Sequence, residues 1–230
     1  MLPIRDDAPR TTTPYVNYFL VALNVAVFLF ELSLGPRSRM VFMFQFGFVP
    51  ENVSSFLHGG VGYVVPAFLP VFTSMFMHAS WLHIIFNMWA LWIFGDNVED
   101  ALGHFRYLVF YLVSGIAASA LHYVFNLNSQ VPSVGASGAI AGVMGAYFVL
   151  FPAARVLTLV PLFFLFFWWL PAWVFLGYWF VIQFLSGAAT TIAYTSQTGG
   201  GVAFWAHVGG FAAGIVMIKL FPGRTRRFYY

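Results

Sequence analysis

The sequence predicts an all-α integral membrane protein, a bundle of six transmembrane helices whose long first loop lies in the membrane interface. Three observations support this fold class. Of the 230 residues, 61% are hydrophobic and only 7% are charged, whereas a soluble domain contains about 25% charged residues. Several apolar stretches reach the roughly 17 to 25 residues that a membrane-spanning helix needs. No long hydrophilic linker separates these stretches, so we expect one compact membrane domain.

Six apolar stretches are candidate spans, and the fourth of them is short. In chain order they cover residues 15–34, 78–94, 105–125, 137–151, 157–185 and 202–221. The first span has no small-residue cleavage site behind a short apolar core, so we expect it to remain as an anchor rather than to be removed as a signal peptide. We therefore predict an N-terminal tail over residues 1–14, a membrane domain over 15–221 and a basic C-terminal tail over 222–230.

The distribution of basic residues predicts that both termini are cytoplasmic. When the chain is threaded through six helices, one side of the membrane carries only Arg37 and Arg39, and the other side carries the rest of the ten basic residues. The positive-inside rule assigns the more basic side to the cytoplasm. A small chain without an organelle-targeting segment favours a prokaryotic plasma membrane. The net charge of +3 gives no indication of a nucleic-acid partner.

Two apolar segments have unusual compositions. The first loop, residues 35–77, is rich in aromatic residues, glycine and proline and has little charge. We expect it to lie in the interface as short amphipathic helices, rather than to form a seventh span broken by prolines. The fifth span is long and aromatic, and Pro161 and Pro171 are expected to kink it. It either faces lipid passively or forms, with the loop 186–201, a lateral gate for a substrate helix.

The fourth span, which begins at Ser137 and is ended by Pro152, is too short to cross the bilayer. Its length of about 15 residues corresponds to roughly 22 Å of helix, against a hydrocarbon core of about 30 Å. If Arg155 holds the C-terminal end at the cytoplasmic surface, Ser137 lies below the outer surface. The polar, irregular segment before it is tolerated at such depth only within protein or beside water. We therefore expect a water-accessible pocket with Ser137 at its floor.

Ser137 lies in the motif GASG, and the glycines around it have two interpretations. Taken alone, they indicate close packing of membrane helices. A serine becomes a nucleophile only when a base removes its proton, and His207 is the candidate base. Gly210 and Gly214 share its helix face, which predicts that the glycine-rich fourth helix packs there. A histidine inside a span indicates function, although a merely hydrogen-bonded, structural histidine is the alternative.

A third motif, HASWLHIIFNMW, begins the second span. His83 and Asn87 project from one helix face, with His78 just before them. His83 and Asn87 can donate hydrogen bonds to an oxyanion, and so can the backbone N–H of Ser137 at the start of its helix. A metal site of His78, His83 and His207 is disfavoured, because the sequence has no HExxH motif and no carboxylate at helical spacing beside these histidines. The chain has no cysteine, which excludes cysteine zinc sites. The other histidines are expected to be interfacial or structural: His58, His104 and His122.

With the motifs HASWLHIIFN, GASG and AHVGG in this order, the chain resembles the rhomboid intramembrane serine proteases from about Tyr15 to Phe221. The resemblance implies a rhomboid-like six-helix bundle that hydrolyses peptide bonds in or next to transmembrane segments of membrane-protein substrates in the lipid bilayer, without a cofactor or metal. It implies a catalytic dyad of Ser137 as nucleophile and His207 as general base. The other implied site groups are His83, Asn87 and the Ser137 amide in the oxyanion hole, with His78 and Gly135 near the site.

The sequence departs from the family pattern in two places. Ala141 stands where many relatives carry an aromatic residue that stacks on the catalytic histidine, and Leu69 and Pro70 replace a Trp-Arg pair of the first loop. If another ring supplies the stacking, the candidates are Trp205 and Tyr147. The alternative function is that of a catalytically inactive relative which binds transmembrane helices. It is disfavoured because the serine and the histidine are both present, and a transporter is disfavoured because the sequence has no internal repeat.

Overall fold

The computed structural model describes residues 1–59, 64–161, 165–193 and 203–221. Helices make up most of this part of the chain, in the order α1 Tyr15–Ser33, α2 Pro36–Phe46, α3 Pro50–Leu57, α4 Val64–Thr73, α5 Trp81–Leu102, α6 His104–Phe125, α7 Ser137–Leu150, α8 Ala172–Ala193 and α9 Phe204–Leu220. A short 3-10 helix, Ser74–Phe76, follows α4. The strands are β1 Leu2–Asp6, β2 Arg155–Pro161 and β3 Leu165–Pro171.

Three of the helices, α1, α6 and α8, are long and apolar enough to cross a membrane. A fourth candidate span is formed by Val64–Phe76 together with α5, which are bent by 76° at a short break. α7 and α9 are apolar but shorter, and α7 extends only about 21 Å at 1.5 Å per residue. The protein is therefore a predominantly helical, multi-pass membrane protein with three to four candidate spans in its described part. The total of six stays a prediction.

Helix α7 is enclosed by its neighbours, and every residue from Gly138 to Tyr147 is buried. Glycines let the adjacent backbones approach on two sides. A Cβ built on Gly142 would lie 2.3 Å from the Cβ of Ser114 on α6, and one built on Gly214 of α9 would lie 2.0 Å from the carbonyl oxygen of Gly142. Neither approach leaves room for a side chain. The predicted close packing between the glycine faces of α7 and α9 is confirmed.

The prediction of a helix over residues 157–185 is wrong in its first part. β2 and β3 form an antiparallel hairpin there, and the chain becomes helical only from Ala172. The stretch is rich in β-branched and aromatic residues, which favour strands, and the prolines at the strand ends cannot donate to a helical hydrogen-bond ladder. α8 then continues to Ala193. The rest of the predicted gate loop lies outside the described residues, as does the predicted tail 222–230.

The N-terminal segment contributes a strand to this sheet. β1 pairs antiparallel with β2, which gives the strand order β1-β2-β3. The segment between β1 and α1 is attached to the C-terminal part of α5, where Arg10 forms an ion pair with Asp96 at 3.0 Å. Thr11 and Thr12 donate hydrogen bonds to the carboxylate of Asp100. Residues 1–14 are therefore packed against the helical domain.

The first loop contains short helices, as predicted, namely α2, α3, α4 and the 3-10 turn. Its backbone is tied to the segment before Ser137, since Phe48 and Ser133 exchange two backbone hydrogen bonds of 2.9 and 2.8 Å. Ser54 Oγ also donates to the carbonyl oxygen of Leu127 at 2.7 Å. The irregular segment before α7 is thus bound to protein, which is how such backbone is tolerated in a membrane domain. The position of the loop in the interface stays a prediction.

Candidate active site

Ser137 and His207 lie in hydrogen-bond contact, with 2.8 Å between Ser137 Oγ and His207 Nε2. Ser137 is the first residue of α7, and His207 lies in the first turn of α9, so the contact joins the starts of two helices. The His207 side chain is buried, whereas Ser137 is only partly buried. Ser137 is therefore less enclosed than its partner.

The start of α7 is positioned by the turn before it. The backbone N–H of Gly135 donates to the carbonyl oxygen of Ser74 at 2.9 Å, and Gly135 has a φ of +136°, a conformation that favours glycine. This turn brings Ser137 to the N-terminus of α7. Backbone N–H groups in the first turn of a helix have no acceptor within the helix, so the N–H of Ser137 is suited to bind a negatively charged oxygen.

The second ring nitrogen of His207 also has a partner. Its Nδ1 lies 2.7 Å from Oε1 of Gln183 on α8. The ring of Trp179, one turn earlier on α8, lies 5.7 Å from the imidazole ring at an interplanar angle of 36°. Neither residue was predicted from the sequence. The sequence did contain one indication of this contact, the amide side chain of Gln183 in an otherwise apolar helix. A polar group within protein nearly always takes a hydrogen-bond partner.

The ring beside His207 is not one of the two that were expected there. Trp205 stacks on Phe125 with 3.7 Å between the ring centroids, and Tyr147 packs near the C-terminal end of α7. The ring beside His207 is instead that of Trp179, which belongs to α8. A helical pattern shows which face a ring occupies but not which neighbouring helix lies opposite it, so this partner could not be read from the sequence.

The residues expected to bind an oxyanion lie at the start of α5. Ser80 caps this helix by accepting the N–H of His83 at 3.3 Å. One turn later, Asn87 Nδ2 lies 3.0 Å from His78 Nε2, and the rings of His78 and His83 meet edge to face with centroids 5.0 Å apart. A Cβ built on Gly135 would lie 2.7 Å from Nε2 of His83. The His83 ring therefore lies against the turn that leads into α7.

Two charged side chains hold the backbone of His78. Its N–H points at the carboxylate of Glu31 on α1, at 3.3 and 3.4 Å from the two oxygens. Arg39 of α2 donates from Nη2 to the carbonyl oxygens of His78 and Ala79, each at 3.2 Å. These contacts fix His78 where its ring meets the amide of Asn87. Neither charged residue was predicted as part of the site, although a carboxylate within an apolar span is itself a functional signal.

The remaining histidines have local partners, as expected of structural residues. The contacts are His58 with the carbonyl of Ser54, His104 with the carboxylate of Glu99, and His122 with Asn126. Within the described ranges, no group of three or more His, Cys, Asp or Glu side chains is placed to hold a metal ion. The side chains described at the site offer a hydroxyl group, imidazole rings and an amide.

The sequence of the chain is similar to those of known proteins. The chain matches the model of the Rhomboid domain over residues 65–224. It is 30% identical to Rhomboid protein 1, mitochondrial, of Saccharomyces cerevisiae over 214 residues, which are 90% of this chain and 53% of the yeast protein. It is 30% identical to Presenilin-associated rhomboid-like protein A, mitochondrial, of Danio rerio over 156 residues, 64% of this chain and 36% of that protein. It is 34% identical to Rhomboid protease GluP of Bacillus subtilis over 133 residues, which are 58% of this chain and 24% of that protein.

The chain spans about half the length of the yeast relative and smaller shares of the other two. Two of these three relatives are named as mitochondrial, which runs against the expected prokaryotic plasma membrane. The assignment as a multi-pass membrane protein is unaffected. The domain match extends over more than half of the chain and includes all of α5 to α9, which hold Ser137, His207, His83 and Asn87. The chain therefore belongs to the rhomboid family.

Proposed function

We propose that the protein is an intramembrane serine endopeptidase, which hydrolyses peptide bonds in or next to the transmembrane segments of other membrane proteins. The strongest support is the 2.8 Å distance from Ser137 Oγ to His207 Nε2. A serine hydroxyl is a weak nucleophile until an adjacent base accepts its proton, and His207 is the base within reach. One relative, from Bacillus subtilis, is named a rhomboid protease.

The proposed reaction is acyl transfer through the Ser137 hydroxyl. Ser137 Oγ attacks the carbonyl carbon of the scissile bond while Nε2 of His207 takes the hydroxyl proton. The tetrahedral intermediate then collapses, the C–N bond breaks, and His207 gives its proton to the departing amine. This leaves an ester on Ser137. A water molecule, deprotonated by His207, hydrolyses the ester, releases the carboxyl product and restores both side chains.

The negative charge of the intermediate needs hydrogen-bond donors near Ser137. The proposed donors are the N–H of Ser137, at the positive end of the α7 dipole, and the side chains of His83 and Asn87. Their placement supports this, since the His83 ring lies against Gly135 and Asn87 is oriented by His78. Removal of one such donor typically costs about 100- to 1000-fold in rate. The mechanism uses no cofactor and no metal.

The membrane setting is part of the proposal. Six helices in a domain over residues 15–221 would cross the bilayer, with tails 1–14 and 222–230 in the cytoplasm and the first loop in the outer interface. The basic residues support this orientation. Because α7 is shorter than the bilayer is thick, Ser137 would lie below the outer surface. The partners are then transmembrane substrates and lipid, with no nucleic acid.

Substrate entry is proposed between α5 and α8. The lipid-facing side of α8 is aromatic and aliphatic, with Trp173 56%, Val181 50% and Leu185 57% exposed. These exposed side chains are large, unlike the small residues that hold α7 and α9 together. The chain has no native cysteine, so an introduced cysteine pair can cross-link α5 to α8 without interference. Cross-linking should block cleavage of membrane substrates, and full activity of the cross-linked protein would contradict the gate.

The test of the function is cleavage of a fluorogenic transmembrane substrate, with small residues near its outer end, by purified protein in liposomes. Ser137→Ala and His207→Ala are the matched controls, because each removes one functional group of the pair. We expect cleavage by the parent protein and none by either variant. If the parent binds the substrate and does not cleave it, the protease proposal fails. The chain would then be a catalytically inactive member that binds transmembrane helices.

A further inference from the structure

Helix α8 presents two side chains, one turn apart, to the ring of His207. Gln183 Oε1 lies 2.7 Å from His207 Nδ1, and the Trp179 ring lies 5.7 Å from the imidazole ring. The opposite ring nitrogen, Nε2, contacts Ser137 Oγ. His207 is therefore held at both nitrogens, by the proposed nucleophile on one side and by an amide on the other.

The chemistry of the amide determines which nitrogen carries the proton. A carbonyl oxygen only accepts hydrogen bonds, and a neutral imidazole has one N–H and one bare nitrogen. With Oε1 of Gln183 facing Nδ1, the proton must reside on Nδ1. Nε2 is then the bare nitrogen, and it is the one that faces Ser137. This is the tautomer that can accept the serine proton.

The reverse orientation of the amide would have the opposite effect. If the NH₂ group of Gln183 faced Nδ1, it would donate to that nitrogen and the ring proton would move to Nε2. His207 would then donate to Ser137 and could not deprotonate it. The orientation of Gln183 thus has a measurable consequence at His207.

The packing of α7 explains why this support comes from α8. Ala141, one turn after Ser137, is 0% exposed, and a Cβ built on Gly210 of α9 would lie 3.3 Å from its Cβ. An aromatic ring at position 141 would not fit beside α9 at this distance. A histidine that packs so close to α7 needs its orienting groups from another helix, and α8 supplies both Trp179 and Gln183.

We infer that Gln183 is a positioning residue that holds His207 in the tautomer with the proton on Nδ1, and that Trp179 limits the tilt of the ring. This inference rests on the proposed function, because it assigns Gln183 a part in preparing the base. Gln183 is assigned no contact with the reacting atoms, and its role is exerted through His207.

The first test reads the ring of His207 directly. The ¹⁵N signals of histidine-labelled protein in lipid bilayers distinguish a protonated from a bare ring nitrogen, and the His207 signals are identified as those lost in His207→Ala. In the parent we expect a protonated Nδ1 and a bare Nε2. Gln183→Glu, which keeps an acceptor of the same length, should retain this pattern. Gln183→Met, which has similar size and no comparable acceptor, should lose it.

The second test is kinetic and uses the same variants. General base catalysis contributes roughly 100- to 10,000-fold, so loss of the correct tautomer in Gln183→Met should lower kcat by about 10- to 100-fold with KM nearly unchanged. Gln183→Glu should recover most of this loss. A fold defect would lower the thermal unfolding temperature as well, and Gln183→Leu is a second apolar variant if the Met variant is poorly folded.

The outcomes separate this inference from the proposed function. If Gln183→Met keeps a protonated Nδ1 and the parent kcat, Gln183 has no positioning effect and the inference is overturned. If the parent cleaves no substrate, the protease proposal fails, yet the ¹⁵N pattern still shows whether Gln183 orients His207. A proton on Nε2 in the parent would also overturn the inference, because the amide would then be donating.

Discussion

Gly210 of α9 lies directly against the backbone of Gly138 on α7, since a Cβ built on Gly210 would stand 2.0 Å from the carbonyl oxygen of Gly138. Gly138 follows Ser137, and Gly210 comes one helical turn after His207. This contact therefore joins the two helices within a turn of the proposed dyad. The 2.8 Å distance between Ser137 Oγ and His207 Nε2 depends on the absence of a side chain at position 210.

We expect Gly210→Ala to push α7 and α9 apart. A real Cβ cannot remain 2.0 Å from a backbone oxygen, so the backbones must shift, and overpacking of this kind costs about 1 to 3 kcal/mol. The distance between Ser137 and His207 should lengthen, so activity per folded molecule should fall as well. Denaturant unfolding in detergent and cleavage rates normalised to folded protein measure the two effects.

Gly177→Ala on α8 is the matched control for this substitution. The nearest atom to a Cβ built on Gly177, Phe148 Cε2, is 3.9 Å away, which is ordinary contact. Alanine also favours a helix over glycine by roughly 0.5 to 1 kcal/mol. Gly177→Ala should therefore be neutral or slightly stabilising. If Gly210→Ala and Gly177→Ala have the same stability and the same activity, the close approach of α9 to α7 is not what positions the dyad.

The polar site could largely be predicted because its side chains are rare in an apolar chain. Four polar residues lie at or near the start of a candidate span, where few other polar groups occur: Ser137, His207, His83 and Asn87. Periodicity also placed Gly210 on the face of His207. In a membrane domain the cost of burying a polar group makes each one informative.

The contacts that surround these residues could not be predicted in the same way. β1 was missed because it forms a strand only by pairing with β2, more than a hundred residues later in the chain, and its own sequence is too short to indicate this. Gln183 and Trp179 were missed because helical periodicity does not identify the opposing helix. The hairpin at Pro161 was missed because a continuous apolar run is ambiguous between helix and strand.

Gly135→Ala should impair catalysis more than stability. Gly135 has a φ of +136°, and an added Cβ would lie 2.7 Å from Nε2 of His83. The ring of His83 would have to move, and loss of one oxyanion donor costs about 100- to 1000-fold in rate. The backbone strain itself should cost about 1 to 3 kcal/mol. Cleavage kinetics and unfolding of the same preparation test this.

Gly35→Ala serves as the comparison for Gly135→Ala. Gly35 precedes α2 with a φ of −63°, and a Cβ there would meet no atom within 4 Å. Its replacement should leave both activity and stability unchanged. A Gly135→Ala protein that cleaves substrate at the parent rate would show that the position of the His83 ring is unimportant for the reaction.

Glu99 is predicted to stabilise the fold without taking part in catalysis. Its carboxylate is fully buried and accepts the backbone N–H groups of Val16 and Asn17 at 3.0 and 2.7 Å, at the start of α1. It also pairs with His104. Glu99→Ala leaves these donors without their acceptor, and breaking a buried pair of this kind costs about 3 to 5 kcal/mol. Glu99→Gln keeps one acceptor oxygen and should lose less.

The unfolding free energies of the two Glu99 variants in detergent, compared with the parent, check this prediction. Cleavage rates per folded molecule should be the same in all three proteins, because α5 carries Glu99 at its far end from His83. An alanine variant as stable as the parent would mean that water or another group accepts the hydrogen bonds of the backbone N–H groups at the start of α1.

The stability of the protein should depend on pH through Asp6. Burial raises the pKa of the Asp6 carboxyl from 3.8 to about 6, although the hydrogen bond from the Tyr147 hydroxyl acts in the opposite direction. The folded protein therefore keeps a proton on Asp6 at pH values where the unfolded chain has lost it. The contribution of protonated Asp6 to the free energy of unfolding is fully present below about pH 4 and is lost as the pH rises through 6.

Two substitutions separate the contributions of Asp6 and Tyr147. Asp6→Asn cannot titrate, so its stability relative to the parent should improve between pH 4 and 7, by at most about 3 kcal/mol at 1.4 kcal/mol for each pKa unit. Tyr147→Phe removes the hydrogen bond that lowers the Asp6 pKa, so the stability of this variant should start to fall at the same pH as in the parent but continue to fall to a higher pH. Unfolding free energies measured at pH 4, 5, 6 and 7 give all three curves. Parallel curves for the parent and Asp6→Asn would show that Asp6 has an ordinary pKa, because burial would then not disfavour its charge.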